Sequence, residues 1–316
     1  MPRVDRNNPK RGSASESRYS LMEFERDFPD DATCLEWLVG FLYPDGIFCK
    51  TCDRVTKHHR DARRPSYSCQ FCGRHEHPMK GTIFENSATS LKLWFYAMYL
   101  MASTRCGISA KQLERELGVT YKTAWRMFHK LRTLLAQDGG MFEGTVEADE
   151  TFMGRVSKWK HVGQGSGRNW AKDKTVVFGM AQRGIEGQSG KVKARIVPST
   201  RKQTLLWRTQ RNVRKGSTIF TDENPSYTGL HGLGYDHGWI NHRQRVYVHG
   251  DVHTNTIEGF FSLIKRGISG VYHGVGDDYL QTYLDEYVFR YNHRDNPRGM
   301  MAAMLGRIAK TSSSEA

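Results

Sequence analysis

Residues 144–154 are GTVEADETFMG. Glycines bound the stretch, and between them acids alternate with small, apolar and β-branched side chains, the period-two pattern of a strand. That period puts Glu147, Asp149 and Thr151 on one face and Val146, Ala148 and Glu150 on the other. An acid on a strand of a packed sheet is costly unless it lies at an edge, is paired, or holds a cation. Asp149 is therefore a candidate ligand. Working outward, KTVVFGMAQRG (174–184) and GKVKARIVP (190–198) are two more β-rich runs bounded by Gly and Pro. A helical run, KQTLLWRTQRNV (202–213), follows, and STIFTDEN (217–224) is a fourth strand ending in acids. Two helices close the order, HTNTIEGFFSLIKRG (253–267) and DYLQTYLDEYVFRYNH (278–293). This succession predicts an α/β core built on a mixed sheet.

Asp222 falls at the carboxyl end of the fourth strand, where functional groups of α/β sheets gather. DENPSY is also turn-rich, so a turn or N-cap role is the plain alternative. In the next helix Asn255 and Glu258 are three apart and Lys265 lies seven beyond the Glu, which sets them on one side. One account is a capping box, with Asn255 as N-cap, Glu258 as its partner and Lys265 complementing the dipole. The other is a cation site, and the two are compatible. Asp149, Asp222 and Glu258, the last two with 35 residues between them, supply hard oxygens that suit two divalent ions about 3.5–4 Å apart. Carboxylates favour Mg²⁺, and such a pair suits displacement at phosphorus, one ion sharpening a nucleophile and the other steadying the leaving oxygen. Lys265, with Arg266 beside it, would meet a DNA backbone. His249 and His253 flank the site and read as phosphate contacts or packing.

The charge supports a polyanionic partner. Lys and Arg number 47 against 33 Asp and Glu, a net +14, with 38% hydrophobic residues. LWFYAMYLMA (93–102) is too short to span a bilayer, and the polar first twenty residues lack an apolar h-region, so a cytoplasmic, nucleoid-associated protein is expected. Cys49 and Cys52 form one CxxC pair, Cys69 and Cys72 another, with 16 residues between the pairs. In an intracellular protein this spacing predicts a tetrahedral Zn²⁺ site, with His75 and His77 as possible substitutes. Cys34 and Cys106 read as buried thiols. The basic RVTKHHRDARR (54–64) lies between the knuckles. Further on, ISAKQLERELGVTYKTAWRMFHKLRTLL (108–135) has two amphipathic stretches about a turn at Gly118-Val119, a helix-turn-helix pattern. Its second helix offers Tyr121, Lys122, Thr123, Arg126 and Lys130 to a major groove. Between the first two core strands, RVSKWKHVGQGSGRNWAKDK (155–174) reads as a flexible basic loop. The organisation expected is a mobile tail (1–20), helices and zinc ribbon (21–85), a helix-turn-helix region (86–138), the catalytic domain (139–300) and a C-terminal tail (301–316).

Taken together, the knuckles, ISAKQLERELGVTYKTAWRM, VEADETFMG, TDENPSY, HTNTIEGFFSLIKRGISGVYH and YLDEYVFRYNHR resemble bacterial insertion-sequence transposases of the group with an N-terminal zinc ribbon, akin to the eukaryotic Merlin elements. The resemblance covers roughly residues 30–295. It implies an RNase H-like catalytic core with a mixed five-stranded sheet and a DD(E/N) triad dependent on Mg²⁺ or Mn²⁺. It also implies double-stranded DNA as partner, cut at terminal inverted repeats and joined through its 3′ ends to a target, and at least a homodimer when active. Asp149 and Asp222 match the first two acids. For the third the chain offers both Asn255 and Glu258, and the separation and the following Lys265 favour Glu258.

Overall fold

The computed structural model describes residues 19–104, 106–137, 139–154, 174–184, 189–240, 251–296 and 298–308. The loop at 155–173 and His249 lie outside the described residues. Two compact units are present, one from the stretches before 106, 110–134 and after 295, the other from 106–109 and 135–295.

The first unit begins with α1 (Leu21–Asp27) and α2 (Asp31–Leu42). Ser20 and Glu23 form a reciprocal capping box on α1, and the Asp30 carboxylate accepts from the Thr33 amide at 2.8 Å to cap α2. The knuckles ride on β1 (Phe48–Cys49) paired with β2 (Arg54–Val55), and on a three-stranded sheet of β3 (His58–Arg60), β4 (Tyr67–Cys69) and β5 (His75–Glu76). The basic stretch 54–64 is thus partly strand. Then come α3 (Leu91–Ser103), α4 (Ala110–Leu117) and α5 (Tyr121–Thr133). Gly118 has φ +65°, a left-handed conformation that glycine adopts without a Cβ clash, and it ends α4 before Thr120 caps α5. The chain on either side of the ribbon shares an aromatic core with α3: Phe28 meets Phe95 edge-on with ring centroids 4.9 Å apart, and Phe84 meets Trp94 at 5.6 Å. Ribbon and helices therefore form one unit where the sequence divides them at 85/86. Of the stretch expected as a C-terminal tail (301–316), residues 301–305 lie in α9 (Gly299–Leu305), held there by the buried Met300, Met301, Met304 and Leu305, and residues 309–316 lie outside the described residues.

The second unit carries a five-stranded sheet of β6 (Thr145–Met153), β7 (Thr175–Gln182), β8 (Lys191–Val197), β9 (Thr218–Thr221) and β10 (Asp236–Trp239). Its spatial order is β10-β9-β6-β7-β8, with β6, β7 and β8 antiparallel and β9 and β10 parallel to β6. The sheet is mixed, as expected, but its fifth strand comes from DHGW (236–239), four residues without an apolar alternation to announce them. Helix α6 (Lys202–Asn212) covers one face with Leu205 packed on Val146, Ala148, Phe178 and Ile219. On the other face α7 (Asn255–Gly270) and α8 (Asp277–Asn292) bury Ile257, Phe260, Phe261, Ile264, Leu280 and Leu284 against Val177, Ala181 and Val192. Gly179 makes this close approach possible: a Cβ there would lie 2.5 Å from Phe261 and 2.7 Å from Ile257. Gly179 is the cross-strand partner of Asp149.

Candidate active site

Strand β6 pairs with β9 from Thr145↔Thr218 to Glu147↔Phe220. Two further steps along both strands bring Asp149 level with Asp222, the first residue after β9. The pairing with β9 ends at Glu147, and past it Asp149 from one face of β6 and Glu150 from the other both come near Asp222, with Glu150 also bonded to Asn224 and Tyr227. There oxygens of Asp149, Glu150 and Asp222 lie within 4.8 Å of one another. Backbone amides organise two of the acids: Glu150 N–H donates to Asp149 Oδ1 at 2.7 Å, and Asn224 N–H to Asp222 Oδ1 at 3.1 Å. Glu150 accepts from the buried Tyr227 hydroxyl at 2.5 Å and from Asn224 Nδ2 at 3.4 Å. Sequence alternation sent Glu150 to the opposite face with no role, and the signal that was available is the second acid of the Asp-Glu doublet. Glu258 stands outside the 4.8 Å set, near enough for its charge to act on Asp149.

These carboxyls are crowded and poorly solvated. Burial, then the charge of Asp222 and that of Glu150, push Asp149 up to about 8. Burial likewise pushes Glu150 up to about 7, although the Tyr227 hydrogen bond pulls the other way. Acids whose pKa is raised by folding hold more protons in the folded chain than in the unfolded one. Stability without a cation is therefore greatest below pH 4 for these two groups and falls as pH rises through 7 and 8. A divalent cation, binding the ionised acids, should reverse this loss. Melting temperature from pH 5 to 8.5 is expected to decline without Mg²⁺, to recover with it, and to flatten in Asp149→Asn. An unchanged slope in Asp149→Asn would contradict the assignment.

Helix α7 is anchored from the sheet. Its N-cap is Thr254, not Asn255, which is the first helical residue and exposed. The expected capping box is absent, since Thr254 makes no side-chain cap to the backbone and its hydroxyl donates to Glu258 Oε1 at 2.7 Å. The unpaired amides of the first turn go to Glu147: Thr256 N–H and Ile257 N–H donate to Oε2 at 2.8 and 3.1 Å, and the Thr256 hydroxyl to Oε1 at 2.8 Å. Glu147 is fully buried and paired with Arg183 Nε at 2.8 Å. Arg183 in turn donates to the carbonyls of Asp251 and His253, and its Nη2 lies 2.8 Å from His253 Nδ1. His253 is thus part of the clamp on α7. Lys265 and Arg266 are exposed further along the helix.

In the first unit the four knuckle sulfurs all lie within 4.8 Å of one another. Cys49 and Cys72 Sγ are 3.5 Å apart and Cys52 and Cys69 Sγ 3.9 Å. Ligand sulfurs at the Zn–S bond length of 2.3 Å stand about 3.8 Å apart in a tetrahedron, so the set fits that ion. The Thr56 hydroxyl and the amides of Cys72 and Phe71 pull the Cys69 thiol down to about 5, toward the ligating thiolate. His75 and His77 are not in the cluster, and His75 Nδ1 lies 3.1 Å from Ser66 Oγ. Cys34 is buried, whereas Cys106 is exposed, because it sits in a bend ahead of α4 rather than in a packed element. On α5, Tyr121, Lys122 and Arg126 are exposed. Thr123 is half-buried and engaged with the Thr120 cap. Lys130 turns back to donate to the carbonyls of Ile83 (3.1 Å) and Glu85 (3.4 Å), away from the groove-facing role expected of it.

Comparison with known proteins joins these features. The model of the ISXO2-like transposase domain matches residues 141–292, the stretch that builds the five-stranded unit and all four acids. A protein of Halobacterium salinarum, described as an uncharacterized protein in transposable element ISH50, is 30% identical over 277 residues, 84% of this chain and 92% of the relative. The chain belongs to the ISXO2-like transposase family. The relative's match extends well beyond the transposase domain, so the family likeness reaches into the first unit as well. Among the described residues no helix is long and apolar enough to cross a membrane.

Proposed function

We propose that this chain is the transposase of an insertion sequence. It binds double-stranded DNA at the element's terminal inverted repeats, cuts there, and joins the freed 3′-hydroxyl ends to target DNA by phosphoryl transfer. The observation that carries this is that Asp149 on β6 lies beside Asp222, just past the end of the parallel strand β9, with Glu258 on a helix clamped to the same strand β6. Three antiparallel strands with two more added parallel to the first support an RNase H-like core.

The donor set fits a hard cation. Magnesium takes oxygens at 2.0–2.1 Å, which sets ligand oxygens about 3–4 Å apart, within the 4.8 Å that spans Asp149, Glu150 and Asp222. Mg²⁺ or Mn²⁺ bound there supplies charge stabilisation to the attacking and leaving oxygens of the phosphoryl group. Asp149 and Asp222 hold the cations, and Glu258 completes the set from the first turn of α7. Glu150 is tied to Tyr227 and Asn224 and orients that wall of the site. Asn255, exposed at the helix start, is left to contact DNA. Lys265 and Arg266 take backbone phosphates on the exposed side of α7. In the first unit the cluster of Cys49, Cys52, Cys69 and Cys72 holds structural Zn²⁺, and α4 and α5 act as a helix-turn-helix presenting Tyr121, Lys122 and Arg126. Two DNA ends handled together imply at least a dimer in the active complex.

The third ligand is tested by cleaving labelled terminal-repeat DNA with Glu258→Ala, Asn255→Ala and Glu150→Gln. Loss of activity is expected in Glu258→Ala, with the other two retaining cleavage. Activity that survives Glu258→Ala and vanishes in Asn255→Ala would transfer the role to Asn255.

Glu147 and Arg183 touch neither cation nor DNA in this scheme, and they act by fixing α7. Groups that orient ligands are worth about 10–100-fold in metal affinity or activity. Arg183→Gln should raise the Mg²⁺ needed for half-maximal cleavage by about that factor, with affinity for the ends little changed. A wild-type Mg²⁺ requirement would remove Arg183 from the positioning role.

A further inference from the structure

On the α6 side of the sheet, β8 and α6 border a cavity of about 90 Å³ lined by Phe178, Met180, Lys193, Arg195, Arg208 and Asn212. Strand alternation sends Lys193 and Arg195 to this face, across from Met180 and Phe178 on β7. Lys193 is only 9% exposed; its ammonium donates to the Gly140 carbonyl and to Asn212 Oδ1 at 3.2 Å, and lies 5.0 Å from the centre of the Phe142 ring. Arg195 and Arg208 are half-buried, and neither guanidinium has a hydrogen-bond acceptor or ion pair among the described residues.

The nearby acid answers this charge only in part: Asp285 is close enough for Arg195 to pull its pKa down, but burial outweighs that attraction, and its carboxylate is taken up by Gln137 and Gln281 with no ion pair to Arg195. Burial and the charges of Arg195 and Arg211 hold Arg208 below its ordinary value. Partly desolvated guanidiniums with unused donors are costly, and a planar fork of N–H groups matches the oxygens of a phosphate. The cavity is several times the ~10–15 Å³ that one water requires on the same measure, room for a tetrahedral oxyanion. Next to the cavity on α6, Trp207 is 44% exposed, and the guanidiniums of Arg208 and Arg211 lie 4.8 and 4.6 Å from its ring centre, which extends the cationic surface along the helix.

We propose that this cavity is a phosphate-binding subsite in which Arg195 and Arg208 fork onto phosphate oxygens with Lys193 as the charge behind them. Its occupant is a backbone phosphate of DNA running along α6, away from the acidic centre. The DNA source rests on the proposed DNA substrate; the oxyanion chemistry does not, and an inorganic phosphate ion satisfies the same donors.

The test uses the full chain, Arg195→Gln, Arg208→Gln and the double variant. In the first arm, melting is followed in sodium phosphate against sodium chloride of equal ionic strength. Phosphate is expected to raise the wild-type midpoint by about 2–4 °C, a shift of the size one kcal/mol gives in a domain of this length, and to leave the double variant unmoved. No phosphate-specific shift in the wild type would overturn the subsite. In the second arm, affinity for terminal-repeat DNA is measured as salt rises. The double variant should lose roughly one unit of the log–log salt slope, the signature of one phosphate contact. A phosphate shift lost in the variant with an unaltered DNA slope assigns the subsite to free phosphate and overturns the DNA occupant. Asp149→Asn, carried in parallel, separates this outcome from a failure of the catalytic proposal: it should bind phosphate and DNA normally whether or not it cuts.

Discussion

Asp149→Asn is expected to reduce DNA cleavage by at least about a thousandfold, because cation charge stabilisation is worth several kcal/mol and each 1.4 kcal/mol is tenfold. Affinity for the terminal repeats should stay within about twofold, since phosphate contacts and groove contacts come from other residues. The substitution keeps volume and polarity, so the pleat of β6 and its eight-residue pairing with β7 remain. It also removes a carboxyl held up to about 8 mainly by burial, which relieves the cation-free fold rather than straining it. Melting no lower than wild type, together with lost chemistry, is the combined result that identifies a ligand. Asp222→Asn should behave alike, because the parallel register places the two acids level. Cleavage in both variants at wild-type rate would disprove the site.

The second large effect concerns the knuckles. Chelation, or Cys49→Ser, is expected to unfold the ribbon, as structural Zn²⁺ contributes on the order of 10–16 kcal/mol of apparent folding energy in small zinc modules. Little else holds β1, β2 and β5, which are two residues each, and β3 and β4, which are three. The five-stranded unit has separate cores on both faces of its sheet and should keep its fold. Binding to terminal repeats should weaken and metal release should report one Zn²⁺ per chain. Wild-type affinity for the repeats in zinc-free protein would contradict a role for the ribbon in end recognition.

Much of this was legible because it is local. The period of two in residues 145–153 separates Glu147, Asp149 and Thr151 from Val146 and Ala148, and those valine and alanine side chains do pack under α6. The CxxC spacing carries four sulfurs into one cluster for the same reason, a short turn aiming two donors together. What escaped is long-range. Glu147 meets the amide of Thr256 across 109 residues, and this bond, not Asn255, satisfies the start of α7. Glu150 reaches the acidic cluster because pairing with β9 stops short of it and Tyr227 draws its carboxylate there, which no alternation rule foresees. Strand β10 is four residues with polar Asp236 and His237, formed by pairing with β9 rather than by its own pattern. Lys130 looked like a groove contact on a helical wheel, yet the carbonyls of Ile83 and Glu85 claim it.

Strand transfer is tested by incubating wild-type protein with labelled DNA carrying the element's own ends, a target plasmid, and Mg²⁺ or Mn²⁺, and resolving the products. The expected result is that 3′ ends become covalently joined to target, with no joined product from Asp149→Asn or Glu258→Ala. Ends that are bound but never cut under either metal, or cut and never joined, would contradict it, the first pointing to a DNA-binding protein with an inert centre and the second to a metal nuclease.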